Sequence, residues 1–237
     1  MSDPGPGDDL PRWRSVLAVV AHPDDESFGL GAVLAGFADA GAAVAVLCYT
    51  HGESSTLHGI EGDLDSVRAA ELAGATRALG VDPVRLLGYP DGALTEVDVD
   101  ELSAHVLDLA AEVGADGLLV FDTDGVTGHL DHASATISAL AAADGSGLAV
   151  LGWTVPRSVA AALNQEYGAA FTGHEPEDID LVVTLDRTRQ LAAVACHPSQ
   201  AIPESLLWRR LDQLGDREYL RWLRRPHPHP QKDGTSS

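Results

Sequence analysis

Residues 21–26 read Ala-His-Pro-Asp-Asp-Glu at the end of an apolar run, and residues 128–132 read Gly-His-Leu-Asp-His. His22 and Asp25 from the first cluster and His132 from the second could give three N/O ligands to a zinc-type ion. A position would be left for water, with Asp24 as a spare carboxylate beside it. The pairing points to metal-dependent hydrolysis, which neither cluster alone would do. Pro23 fixes its own φ and biases His22 toward extended backbone, so the first cluster is a stiff turn from which Asp24 and Asp25 point different ways. One can then bind metal while the other faces the water and takes its proton. Simple capping of the next helix by Asp24, Asp25 and Glu26 would leave the adjacent His-Pro unexplained. In the second cluster His129 and His132 share one face of a helical first turn. One can ligate while the other donates a hydrogen bond, and Asp131 can orient a ring nitrogen.

These clusters need elements to bring them together. Ser15–Ala21, Ala43–Tyr49, Val84–Leu87, Gly117–Phe121, Leu148–Trp153 and Ile179–Leu185 are short Val/Leu-rich runs bounded by Gly, Pro or Asp, and read as buried strands. Leu30, Val33, Leu34 and Phe37 fall at i, i+3, i+4 and i+7, and Val67–Leu79, Asp98–Val113, His129–Ala142 and Thr188–Cys196 also suit helices. Such alternation implies an α/β, Rossmann-like fold: a mostly parallel sheet with helices on both faces. Ligands gather beyond the carboxyl ends of such strands, and both clusters fall there, after strands one and four. Residues 15–225 are expected to form one domain, between a flexible N-terminal tail, 1–14, and a disordered C-terminal tail, 226–237. Trp208 and Trp222 sit in an amphipathic stretch, Glu204–Arg225, and suit core or subunit contact, which leaves room for a homo-oligomer.

Composition excludes several classes. The 237 residues are 45% hydrophobic, enough for a full core, and carry a formal charge of -21. That charge repels a phosphate backbone, so no nucleic-acid partner is expected. No run approaches the roughly 18 apolar residues of a membrane span, and residues 1–14 have no signal-peptide core, so a cytoplasmic protein without a membrane span is expected. Cys48 and Cys196 have no CxxC companion and read as buried free thiols. The single lysine, Lys232, removes P-loop, kinase, pyridoxal and Ser-Lys chemistry. Gly29-x-Gly31 starts like a dinucleotide fingerprint, but position 34 is leucine. Arg68 and Glu71 share a helical face and form a surface pair unless Arg68 reaches substrate. Glu53, in His51-Gly52-Glu53-Ser54-Ser55 after strand two, is placed to line a sugar pocket. His227-Pro-His229-Pro reads as polar tail.

Taken together, His22-Pro-Asp-Asp-Glu26, Gly128-His-x-Asp-His132, Arg68-x-x-Glu71, Leu79-Gly-Val81, Tyr89-Pro-Asp-Gly92 and His197-Pro-Ser-Gln200 resemble the LmbE/PIG-L family of zinc-dependent N-acetylglucosaminyl deacetylases. The resemblance spans about residues 15–200. It implies a zinc ion, with another divalent metal such as iron as substitute, held by His22, Asp25 and His132. Asp24 would be general base, His129 would assist the oxyanion, Asp131 would support the histidines and His197 would join the substrate site. The implied activity is removal of an acetyl or other acyl group from an N-acetylglucosamine-type small molecule or conjugate. An amidase acting on a low-molecular-weight thiol conjugate and a non-hydrolytic metal-binding module are the alternatives; the latter has no need of Asp24. Leu130 stands where the family usually has proline, and Thr127 where some members carry a tyrosine thought to assist catalysis. The Thr127 hydroxyl is read here as a helix cap or a substrate contact.

Overall fold

The run Ser15–Val20 is apolar on both faces and forms the central strand β1 in the computed structural model of the chain, which describes residues 7–56 and 63–226. It pairs in parallel with β2 (Ala43–Thr50) on one side and β4 (Gly117–Phe121) on the other. β3 (Val84–Tyr89) and β5 (Ala149–Thr154) extend the parallel sheet outward. Successive side chains of β1 serve opposite faces. Val16, Ala18 and Val20 pack with Leu34 and Phe37 of α2 (Gly31–Asp39) and Leu72 of α3 (Leu64–Leu79). Leu17 and Val19 pack with Val106 of α4 (Val99–Val113) and Ala139 of α5 (Leu130–Ser146). Covering helices on both faces are what a parallel sheet requires, and the expected α/β architecture is observed.

Several elements are not expected from the sequence. Arg157–Tyr167 forms a helix, α6. The C-terminal stretch, expected as amphipathic, divides into the helix α8 (Leu206–Leu214) and the strand β7 (Arg217–Arg224). β7 inserts antiparallel between β5 and β6 (Leu181–Thr184), giving the order β3-β2-β1-β4-β5-β7-β6. Its charged residues disguise it, because they are paired inside: buried Glu218 accepts from Trp153 Nε1 at 2.7 Å and pairs with Arg187, while Arg221 binds Asp122 at 2.8 Å. Part of the stretch read as N-terminal tail packs on the domain. Gly7 bridges to Leu181 and Trp13 stacks on Phe37 at 5.6 Å. Residues 227–237, with the His-Pro repeat, lie outside the described residues. Cys48 is buried, but Cys196 is partly exposed. Among the described residues no helix is long and apolar enough to cross a membrane.

The strand order reverses at β1, with β2 and β3 on one side and β4 and β5 on the other. That switch opens a crevice beyond the carboxyl ends of β1 and β4. The two sequence clusters meet in it, although they are separated by about a hundred residues.

Candidate active site

The chain leaves β1 through the His-Pro-Asp-Asp turn into a single helical turn, α1 (Asp25–Phe28). Asp24 adopts φ 130°, a conformation that L side chains rarely take. Its backbone is pinned: the N–H donates to Glu26 Oε2 at 2.9 Å, and the carbonyl accepts from Ser27 and Phe28. The result is that Asp24 faces a cavity while Asp25 turns back, its Oδ2 accepting from the backbone N–H groups of Ala21 and His22. The Asp24 side chain makes no cap bond to the helix and the Asp25 carboxylate turns away from it, so only Glu26 among the three acids bonds the helix start, through the Asp24 N–H.

His22, Asp25 and His132 converge. His22 Nδ1 lies 3.2 Å from His132 Nε2, His132 Nε2 lies 3.1 Å from Asp25 Oδ1, and His22 Nδ1 lies 3.6 Å from Asp25 Oδ2. Tetrahedral ligands about 2.0–2.1 Å from an ion are separated by roughly 3.3 Å, so this spacing could hold one. The outer nitrogen of His132 is hydrogen-bonded, whereas that of His22 makes no hydrogen bond and has only carboxylates close to it. His132 Nδ1 is 2.9 Å from Thr127 Oγ1 and 3.2 Å from the Gly125 carbonyl. His22 Nε2 is 3.0 Å from Asp91 Oδ1 and 3.5 Å from Asp131 Oδ2. With protons on those outer nitrogens, two lone pairs and a carboxylate oxygen face one another, a donor set that fits a cation. His22, Asp91 and Asp131, and His22, His129 and His132, also bring ligand atoms within 4.8 Å. Asp25 faces the two histidines through different oxygens, Oδ1 toward His132 and Oδ2 toward His22, while Asp91 and Asp131 lie on the other side of His22.

The surrounding acids favour positive charge at this place. Burial alone would lower the His22 pKa, but Asp131, Asp25 and Asp91 together hold it well above the usual range. Burial pushes Asp25 up, and the imidazoles of His132 and His22 reverse it to well below the ordinary carboxylate value. Burial raises Asp24 to about 6, with Arg68 opposing. Arg68 donates to Asp24 Oδ2 at 2.8 Å, to the Gly52 carbonyl at 2.6 Å and to the Pro23 carbonyl. Gly52 is needed there: at φ +66°, a Cβ would stand 1.8 Å from Arg68 Nη1. Asp24 is thus a carboxylate poised near neutrality and not consumed by the trio.

His129 is the N-cap of α5 rather than part of its first turn: its Nδ1 accepts from the Asp131 N–H at 3.2 Å. That bond leaves the proton on Nε2. Burial, then the neighbouring His22 and His132, lower its pKa, so a neutral donor lines the cavity. The cavity holds about 520 Å³.

A family model described as PIG-L, GlcNAc-PI de-N-acetylase, matches residues 17–143, more than half of the chain. The chain belongs to the PIG-L family. A relative from Salinispora arenicola, 1D-myo-inositol 2-acetamido-2-deoxy-alpha-D-glucopyranoside deacetylase, is 31% identical over 87% of this chain and 78% of its own length. The Streptomyces griseus protein of the same name is 37% identical over 64% of this chain, and the match spans 55% of its length. The fold matches that of the zinc-inhibited form of teicoplanin deacetylase Orf2 with a TM-score of 0.67, at 19% identity, over 88% of this chain and 97% of that one. The PIG-L match contains all six residues of the two clusters read first as chemistry.

Other expectations are redistributed. Asp131 is fully buried and touches His22 rather than His132, while accepting from the N–H groups of Gly92 and Leu94. It is a positioning residue. Thr127, read as a cap or a substrate contact, chiefly holds His132. Glu53 does not line the cavity; its Oε1 accepts the Asp91 N–H at 2.9 Å. His197 is fully buried, 2.8 Å from Glu26 Oε1, and is not among the residues that line the cavity. Arg68 and Glu71 are both buried, so they are no surface pair; Glu71 accepts from Ser199 Oγ at 2.6 Å. The sequence reading assigned Asp91 no role, although Tyr89-Pro90-Asp91-Gly92 at the end of β3 marked the turn that delivers it.

Proposed function

We propose that this protein is a zinc-dependent hydrolase that removes an acyl group from an N-acylated amino sugar or a conjugate of one. The observation that carries the reading is the His22/Asp25/His132 trio, with the outer nitrogen of His132 hydrogen-bonded and that of His22 facing two carboxylates, beside a separate carboxylate, Asp24, whose pKa lies near 6. The substrate class follows from the names of the relatives, which are deacetylases of N-acetylated glucosamine compounds.

His22, Asp25 and His132 would hold the ion, zinc or another divalent metal such as iron, which when bound supplies Lewis acidity toward an amide carbonyl and water. Asp24 accepts the proton of the attacking water and returns it to the departing amine nitrogen. Arg68, bound to one Asp24 oxygen, holds the carboxylate in place and favours its ionised form. His129 donates from Nε2 to the oxyanion that develops on the acyl carbonyl. Asp91 and Asp131 fix the ring of His22, and Thr127 fixes that of His132.

The test is amine release from a panel of N-acetylated glucosamines and their conjugates, before and after chelation and zinc replacement. Release that disappears on chelation and returns with zinc supports the reading. Undiminished turnover in a verified metal-free preparation, or no release from any substrate, would overturn it.

A further inference from the structure

The cavity has a half that the roles above leave unused. The loops after β2 and β3 and the helix α3, on one side of β1, bring Ser54, Asp91 and Arg68 to it; β4, the segment after α6 and the helix α8, on the other side, bring Phe121, Phe171, Leu206 and Leu207. The apolar half begins beside the trio, because the Phe121 ring lies 4.8 Å from that of His132. Ser54, Asp91 and Arg68 offer the hydroxyls of a sugar donors and acceptors on the first side. A sugar seated there leaves the second, apolar side to the acyl group.

That apolar half contains a charge. Arg210 lines it and is 5% exposed. Its guanidinium lies over the Trp153 ring, 5.0 Å from the centroid, and donates to the Phe28 carbonyl, while its Nε is buried without a partner. No carboxylate of the described residues forms an ion pair with it: Glu218, the acid that acts on it most strongly, is held by Arg187 and Trp153, and Asp25 acts on it more weakly. Burial pushes its pKa down to about 10. A buried cation without a counter-ion is costly, and the planar guanidinium fork matches a carboxylate.

We propose that Arg210 reads a carboxylate at the end of the substrate's acyl arm, so that the preferred acyl group is a dicarboxylic half-amide of the succinyl class. This rests on the amide-hydrolase reading of the site. Hydrolysis then breaks the acyl C–N bond, adds the water oxygen to the acyl carbon and a proton to nitrogen, and releases a free dicarboxylate with the amine.

The test compares N-succinylglucosamine with its neutral, shape-matched N-succinamoyl analogue on the zinc-loaded full chain. kcat/KM is measured directly, and equilibrium binding in an Asp24→Asn background. The expected preference for the carboxylate is tenfold or more in both. Arg210→Met should bring that ratio close to one, and Arg210→Lys should restore part of it. Leu206→Glu keeps Arg210 but supplies a carboxylate one helical turn before it, and should also collapse the ratio. It covers the case in which loss of the Phe28 contact unfolds the Arg210 variants. Equal handling of the two ligands by the unsubstituted chain, or a preference that survives Leu206→Glu and a folded Arg210→Met, overturns the proposal. Preferential binding without amine release would leave the carboxylate site standing and overturn the hydrolase reading. Release from acetylated sugars without any preference would do the opposite.

Discussion

Arg68 Nη2 lies 2.8 Å from Asp24 Oδ2, and the same nitrogen donates to the Pro23 carbonyl, so one guanidinium on α3 clamps both the side chain and the backbone of the turn after β1. The clamp has an electrostatic consequence. Burial raises Asp24 to about 6, and Arg68 is the largest influence opposing it.

Asp24→Asn should fold and retain zinc while losing roughly a hundredfold to ten-thousandfold in turnover, the range for a positioned acid–base group. Arg68→Gln removes the opposing charge, so the acid limb of the rate profile should move to higher pH, because the active form of the base is ionised. Rate–pH profiles of both variants, with zinc content determined on the same samples, check this. Full activity of zinc-loaded Asp24→Asn would remove Asp24 from the mechanism.

Thr127→Val leaves His132 Nδ1 with only the Gly125 carbonyl. Loss of such an outer partner lowers metal affinity by about ten- to a hundredfold. Competition with a zinc-binding dye measures it, and His132→Ala, which should bind no stoichiometric zinc, sets the lower limit. Affinity equal to that of the unsubstituted protein would mean that Thr127 does not hold the ligand.

His129→Ala should keep zinc and lose on the order of a hundredfold in kcat, the scale for one oxyanion donor. Because His129 also caps α5, the variant should lose about 1 kcal/mol of stability. His129→Asn restores a cap and should recover that stability without recovering kcat. Loss of zinc from either variant would make His129 a ligand instead.

His197, fully buried against Glu26, provides a pH signature in stability. Burial works against its protonation, but Glu26, Asp24 and Glu71 outweigh it and raise the pKa above the usual value. The folded state therefore holds the proton more tightly than the unfolded one. The stabilisation is complete below the unfolded value near 6.5 and declines as pH rises through the folded value. Thermal unfolding across that window should show the decline, and His197→Gln should flatten it. An unchanged profile in His197→Gln would show that the group does not titrate between the two states.

The order of chemistry along the chain was legible because the pattern is local. Apolar runs such as Ser15–Val20 must be buried on both faces, which demands covering helices and places His22 and the 128–132 cluster at one sheet edge. Asp24, Asp25, His22, His129 and His132 needed no more than residue type and strand position to be picked out. Other assignments depended on contacts between distant segments. β7 reads Arg-Glu-Tyr-Leu-Arg-Trp-Leu-Arg, which suits an exposed helix as well as a strand; the open edge of β5 and the buried partners of Glu218 and Arg221 make it a strand. His197 and Glu53 have the chemistry of substrate ligands, but packing turns each toward a carboxylate or backbone partner inside the protein. Asp131 lies 3.5 Å from His22 Nε2 rather than beside His132, because the turn after β3 folds over it. Arg210 shows no signal in the sequence at all. It becomes a candidate only when α8 lays it over Trp153 at the apolar end of the cavity, since whether a charge has a counter-ion is a property of three-dimensional neighbours.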